Sequence, residues 1–241
     1  MNECPGYESV LTGRLCAFLC AVSLVAASIA TMGEPCSAGS QAGANVLHSP
    51  PTARANGMGR AHVGVVEGAD AAWWNPGALG FIESDPSGTV TFRNFGPIQR
   101  LSADMLGHLF AAGAARVGEQ TAIAGSVLYF NYGRQVATDF SGRVIGDFLP
   151  YEVVPTISIG TLVSEKVGIG ASLKVIHVFL APPSVTRYGN DGRATAIALD
   201  GGMMVHASEG RVQIGLAFQN AGSGLSFRDD EPADPLPRAS S

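Results

Sequence analysis

From Val167 to Val175 the chain alternates without a break. Val167, Ile169, Ala171, Leu173 and Val175 fall on one side, and Gly168, Gly170, Ser172 and Lys174 on the other. A period of two marks a β-strand with one apolar face. The pattern returns over 121–132, with Ala122, Ala124, Leu128, Phe130 and Tyr132 aligned, and over 152–163. It returns again over 194–207, where Ile197, Leu199, Met203 and Val205 oppose Asp200, Gly202 and His206. Over 211–219, Val212, Ile214, Leu216 and Phe218 oppose Arg211, Gln213 and Gln219. Residues 88–95 are rich in β-branched and aromatic side chains and also predict a strand. Residues 103–115 alternate only weakly: a strand is the preferred reading, and a helix through Leu106, Leu109 and Phe110 the alternative. Ser164-Glu165-Lys166 is the expected turn of a hairpin. Residues 133–151, with Gly133, Gly142, Gly146 and Pro150, predict a long exposed loop.

Alternation alone fits a sandwich and a barrel equally well. Strand length favours the barrel, because sandwich strands run about five or six residues and tilted membrane strands about 9 to 11. The residues opposite the apolar side suit a hydrated interior, with Lys174, Asp200, His206 and Gln213 as candidate lumen-lining residues. Only 15% of the chain is charged and 31 residues are Gly, so apolar side chains are spread one in two along strands. The fold class expected is all-β, a transmembrane antiparallel β-barrel of about eight strands. A net charge of −5 with no Lys/Arg cluster excludes nucleic acid as a partner.

The N-terminus has the form of a cleavable export signal. An apolar run over 15–30 follows Arg14, and Ser28-Ile29-Ala30 and Ala42-Gly43-Ala44 are both small-x-small sites. Cleavage near Ala44 removes Glu3, Glu8, Glu34 and Arg14, taking the net charge from −5 to −3, and removes Cys4, Cys16, Cys20 and Cys36. The folded part then has no disulfide, cysteine zinc site or cysteine nucleophile. The domain division expected is 1–44 signal and leader, 45–87 an N-terminal plug-like segment, 88–227 barrel strands, and 228–241 an acidic, Pro-rich loop.

Ala53 to Phe81 is neither strand nor linker. Gly57, Gly59 and Gly64 suggest close contact with other backbone. Asp70 is placed to cap a short helical turn, and Asn75-Pro76-Gly77 ends it, since Pro76 lacks an N–H and restricts Asn75 to extended geometry. Packing is the expected role of Trp73 and Trp74.

Several stretches together resemble the PorV/PorQ family of outer-membrane proteins, relatives of the FadL long-chain fatty-acid transporters. They are Ala53-Arg54-Ala55-x-Gly57-Met58-Gly59-x-Ala61 and Asp70-Ala71-x-Trp73-Trp74-Asn75-Pro76, then Tyr132-Gly133, Thr138-Asp139 and Gly142. Next come 165–174 (Glu-Lys-Val-x-Ile-Gly-x-Ser-Leu-Lys), Ala198-Leu199-Asp200-x-Gly202, 214–222 (Ile-Gly-Leu-Ala-x-Gln-Asn-x-Gly) and Pro235-Leu236-Pro237. The resemblance implies a FadL-like barrel with the N-terminal segment in or against the lumen, and Arg54, Gly57, Met58, Gly59, Trp73, Trp74, Asn75 and Pro76 as motif residues of that plug. Gly77 stands where relatives have Ala, a small-for-small change. Full-size FadL-like barrels have more strands than the about eight segments found here, and the last residues lack a terminal aromatic strand, so a partial sequence is expected.

No enzyme signature emerges. Gly168-x-Gly170-x-x-x-Lys174 lacks the ending of a phosphate loop and lies inside an alternating strand. His48, His62, His108, His177 and His206 have no metal-ligand spacing, and no Gly-x-Ser-x-Gly elbow occurs. Lys174 and Asp200 are expected to pair with each other. No catalytic residue, metal or cofactor is expected. The function expected is a non-enzymatic outer-membrane protein of a Gram-negative-type bacterium, contacting membrane lipid and serving protein secretion of the type IX kind through secreted cargo proteins. The alternatives are passage of hydrophobic small molecules, as in FadL, and a secreted β-rich binding or structural protein.

Overall fold

Long runs of β-branched and aromatic residues with period-two alternation pair with their sequence neighbours, and the result is a meander. The structure is a computed structural model and describes residues 44–83, 86–95, 106–139, 141–186, 192–208 and 211–227. Its strands are β1 (Ser87–Asn94), β2 (Gly107–Arg116), β3 (Thr121–Asn131), β4 (Gln135–Thr138), β5 (Val144–Phe148), β6 (Tyr151–Ser164), β7 (Val167–Phe179), β8 (Arg193–Ala207) and β9 (Val212–Gly222). Seven of them form one antiparallel sheet in the order β1-β2-β3-β6-β7-β8-β9, and β4 and β5 form a separate hairpin. The all-β class and antiparallel pairing therefore hold. Residues 107–116 are a strand, not the alternative helix.

The expectation of a plain loop between β3 and β6 fails. The stretch 133–151 is not simply a loop, because Val136-Ala137 and Val144-Ile145 zip into β4 and β5 around a turn at Gly142, whose φ of 78° suits glycine. Its short apolar pairs are two residues long, below the length at which alternation is legible.

The connections differ at the two ends of the sheet. β2–β3, β6–β7 and β8–β9 are joined by the short turns 117–120, 165–166 and 208–211, whereas β1–β2, β3–β6 and β7–β8 are joined by the longer stretches 95–106, 132–150 and 180–192.

Residues 44–83 lie along the inner face. They comprise 3₁₀ turns at Asn45–His48, Gly68–Asp70 and Pro76–Phe81, and short helices α1 (Ala53–Gly57) and α2 (Ala71–Trp74). The segment starts near the long connections, where the Val46 N–H meets Glu152 of β6. It reaches the short-turn end, where Gly64 lies on Gly215 of β9 and the Ala69 N–H donates to Ser87 Oγ of β1. Gly64 and Gly68 are four residues apart, a reach of about 15 Å. Seven flat strands would place their edges about 29 Å apart, so the sheet curls around the segment.

This curl divides the strands into two kinds of surface. Inward positions are buried and mix Phe110, Leu128 and Ile176 with Ser158, Lys174 and Asp200. Outward positions are apolar and exposed: Val90, Ile157, Leu199 and Leu216 are each more than half exposed. Near the long connections the outward face turns aromatic, with Tyr129 and Tyr151 at 6.0 Å, Tyr151 and Phe179 at 5.6 Å, and the Arg193 guanidinium 5.0 Å over Phe179.

Candidate functional site: the N-terminal segment against the sheet

Three strands offer a floor without side chains. Gly160 of β6, Gly170 of β7 and Gly202 of β8 stand in direct cross-strand register, and the backbone of Asn75-Pro76-Gly77 lies on them. A Cβ at Gly160 or Gly170 would come within 2.3 Å of the Pro76 carbonyl oxygen, and one at Gly202 within 2.2 Å of Asn75 Oδ1. The close-approach glycines thus include Gly77 and Gly80 of the segment, Gly160, Gly170, Gly202 and Gly215 of the strands, together with Gly64. Gly57 and Gly59 were expected among them and are not: nothing lies within 4 Å of either, and Gly59 serves instead through its φ of 61°. These two head a surface turn, where contact with other backbone has no partner to form.

Asn75 is fully buried and fully bonded. Its amide donates to Val63 O at 3.1 Å and Met203 O at 3.0 Å, and its Oδ1 accepts from the Gly77 N–H at 3.0 Å. The side chain therefore ties a turn, a strand and the segment's own backbone together. The expected Asp70 cap of α2 is absent: Asp70 is itself in helical geometry, φ −62°, ψ −22°, and makes no capping bond. A capping side chain needs extended backbone to reach the following N–H groups, and the preceding 3₁₀ turn denies it.

The far end of α2 is satisfied from the sheet. A helix end leaves carbonyls without intrahelical donors, and here Ser158 Oγ donates to Ala72 O at 3.2 Å while Gln219 Nε2 donates to Trp73 O at 2.6 Å. Beside them is an ion pair. Lys174 Nζ is 2.7 Å from Asp200 Oδ2, donates to Asn220 Oδ1 at 3.3 Å and sits 4.2 Å over the Trp73 ring, all with the lysine 1% exposed. Asp200 Oδ1 accepts the Asn220 N–H at 2.8 Å. The ammonium thus lies against a carboxylate, an amide oxygen and an aromatic face.

Asn220 and Gln219 are consecutive yet both buried. A register shift opposite Leu199–Gly201 and a left-handed Asn220, φ 60°, turn both inward. Alternation assigns one of them outward, so the bulge hid Asn220 from sequence reasoning. Two further inward groups escaped it: Glu152, which accepts from the Val46 N–H at 3.1 Å and from the Tyr132 hydroxyl, and Arg93, which donates to Pro50 O at 2.6 Å and lies 3.2 Å from His108. Their partners in the N-terminal segment lie 106 and 43 positions away in the chain, which no local pattern displays.

The predicted site residues fall into separate groups. Lys174, Asp200 and Trp73 meet in the buried cluster, and Asn75 and Pro76 lie on the glycine floor. Arg54, His206 and Gln213 border a polar recess of about 420 Å³ with Glu67, Asp70 and Glu83, between the segment, β1 and the β8–β9 end. There His206 stacks on Phe81 at 3.9 Å, and Arg54 meets Glu67 at 3.2 Å in an exposed pair. Gly57, Met58 and Gly59 are on the exposed surface and join no group. Trp74 is buried edge-on to His62 at 5.5 Å.

His62 is 1% exposed, and neither ring nitrogen has a protein partner. Burial, then the Arg54 charge, holds its pKa below 6.5, with Glu67 opposing. Burial pushes the Asp70 carboxyl up, against hydrogen bonds from Thr89 and Thr52 and the charge of Arg54.

No protein family, characterised protein or solved structure matches the chain. Among the described residues no three His, Cys, Asp or Glu side chains gather closely enough to hold a metal ion, and no helix is long and apolar enough to cross a membrane. What the arrangement does chemically is hold: Ser158, Gln219, Glu152 and Arg93 of the sheet each bond to backbone of the N-terminal segment.

Proposed function

We propose that the chain forms wall and plug of an outer-membrane β-barrel of PorV/PorQ type, a non-enzymatic accessory to secretion of the type IX kind. The observation that carries this reading is the inverted polarity of the sheet. Ions and hydroxyls face the enclosed side, while Ile, Val and Leu face out, the reverse of a protein whose sheet is wetted on its outer side. Short turns at one end, long connections at the other and an aromatic rim on the long-connection side support it further. The thirteen residues of β7, at about 3.3 Å each and tilted by about 40°, span roughly 30 Å, the thickness of a bilayer core.

Passage of hydrophobic molecules would need an apolar path beside the plug. The recess there is bordered by Arg54, Glu67, Asp70 and Glu83, and the apolar depression of about 520 Å³, floored by Gly113 and Gly125, lies on the outer face. This favours the accessory role over the transport role. A secreted protein without membrane contact would leave the whole outer band in water.

The test is fractionation of cells making the protein. Recovery with outer membranes, extractable by detergent and not by alkaline carbonate, is the expected result. Recovery in the aqueous phase without detergent overturns the reading.

A further inference from the structure

Three strand ends make a small patch on the outer face. In cross-strand register, Tyr151 of β6, Phe179 of β7 and Arg193 of β8 form one row, and Val153, His177 and Thr195 form the next. All six share the outward parity of Ile157, Leu173 and Ile197. The Arg193 guanidinium lies 5.0 Å over the Phe179 ring. Tyr151 is 5.6 Å from Phe179 and 6.2 Å from His177 between ring centres. His177 Nδ1 is 2.8 Å from Thr195 Oγ1, which leaves Nε2 as the ring nitrogen for a ligand.

Depth and charge point to one kind of partner. Phe179 closes β7 and Arg193 opens β8, so on strands that span the bilayer core the patch stands where hydrocarbon gives way to headgroups. A guanidinium stays charged and, at that depth, turns its head toward the headgroups. Its face is used by Phe179, whereas its edge carries N–H donors in the fork that fits phosphate. Glu152, the only acid in the two rows, is buried on the inner side. The chain as a whole carries −5, so its overall field does not gather anions and capture depends on the local cation. Past Thr195 the outward side of β8 is apolar, with Ile197 and Leu199 56% and 57% exposed. From Arg193 to Leu199 the strand runs about 20 Å toward the middle of the band. A cation at the rim with an apolar column beneath it matches an amphiphile with an anionic head, not a soluble anion.

We infer that Arg193 and His177 bind the phosphate of an anionic lipid in the leaflet on the long-connection side, with its acyl chain lying along Ile197 and Leu199. Such a partner meets the patch only where the sheet faces lipid, so the assignment rests on the outer-membrane reading and deepens it.

The test is native mass spectrometry of the protein extracted from outer membranes into a neutral detergent, titrated with phosphatidylglycerol or with phosphatidylcholine of the same acyl chains. Phosphatidylglycerol should be retained in preference, and inorganic phosphate should not displace it. Arg193→Gln should weaken its binding at least about tenfold, the loss of a charge-assisted hydrogen bond, and His177→Phe about fivefold, the loss of an ordinary one. Arg193 is exposed, so the variant keeps the fold, which tryptophan fluorescence checks. Arg211→Gln removes the same charge in the short turn between β8 and β9 and should change nothing. Undiminished binding in Arg193→Gln, equal retention of phosphatidylcholine, or an equal loss in Arg211→Gln overturns the inference. Displacement by inorganic phosphate makes the patch a site for a free anion and overturns it too. Recovery of the protein in the aqueous phase without detergent is a different failure, that of the membrane reading itself.

Discussion

At the residue scale the molecule depends on absent side chains as much as on present ones. Gly170 is the sharpest case, because a methyl there would sit 2.3 Å from Pro76 O and 2.4 Å from Pro76 C, both backbone atoms that cannot swing aside. Gly170→Ala should therefore cost at least about 2 kcal/mol by overpacking, while Gly57→Ala, with open space around it, should be near neutral. Trp73 and Trp74 are the chain's two tryptophans, so denaturation followed by fluorescence reads the docked segment directly. Lys174 makes the opposite argument. Lys174→Met leaves the buried Asp200 carboxyl without its ion partner, and breaking such a pair costs about 3 to 5 kcal/mol. Lys174→Met combined with Asp200→Asn should recover much of that loss in the same measurement. Recovery of nothing would show that the ammonium acts through Trp73 and Asn220 instead.

At the scale of elements, the turn over residues 61–65 docks through a neutral histidine. Because the folded ring titrates below 6.5 and the unfolded ring at 6.5, the unfolded chain takes up the proton first on acidification. The stability contributed by neutral His62 is whole above pH 6.5 and is lost progressively as pH falls from there toward the folded value. Asp70 acts in the opposite sense, since its raised pKa means that its contribution is present at low pH and is lost as pH rises above 3.8. The fluorescence-detected unfolding midpoint should drop between about pH 7.5 and about pH 5.5, and His62→Phe should flatten that drop. An unchanged slope in the variant would assign the pH dependence elsewhere.

For the whole molecule, the decisive quantity is which side of the sheet meets which solvent. Ile157 is outward, 64% exposed and central between Gly125 and Leu173. In a bilayer Ile157→Lys should cost about 2 to 4 kcal/mol, seen as a lower urea midpoint in lipid vesicles and as less protein recovered in outer membranes. In water the same change would be neutral or favourable to solubility. Gln213→Lys, beside the polar recess, should leave both measurements unchanged. The pair of variants separates a lipid-facing band from a surface that is simply exposed.

The strands were legible because alternation is a local property: β7 over Val167–Phe179, its hairpin turn, the alternation of β3, β6 and β8 and the apolar side of β9 follow from spacing alone. Asn75-Pro76 as a break was legible too, since proline chemistry acts on its immediate neighbour. The β4–β5 hairpin was too short for its pattern to stand out, and the bulge that turns Asn220 inward breaks the very period by which strands are read. Which glycines touch backbone was settled only by register, which sets Gly160, Gly170 and Gly202 in one row beneath Pro76. The sequence by itself determined the long strands of the sheet and the outward apolar side of β7 and β9, whereas in β3 the aligned Ala122, Ala124 and Leu128 lie on the buried inner side instead. It also determined the turn that interrupts the N-terminal segment. Only the tertiary structure decided that this segment lies on a glycine floor and is held by a buried ion pair, because those contacts join residues about a hundred positions apart through cross-strand register, which leaves no local signature.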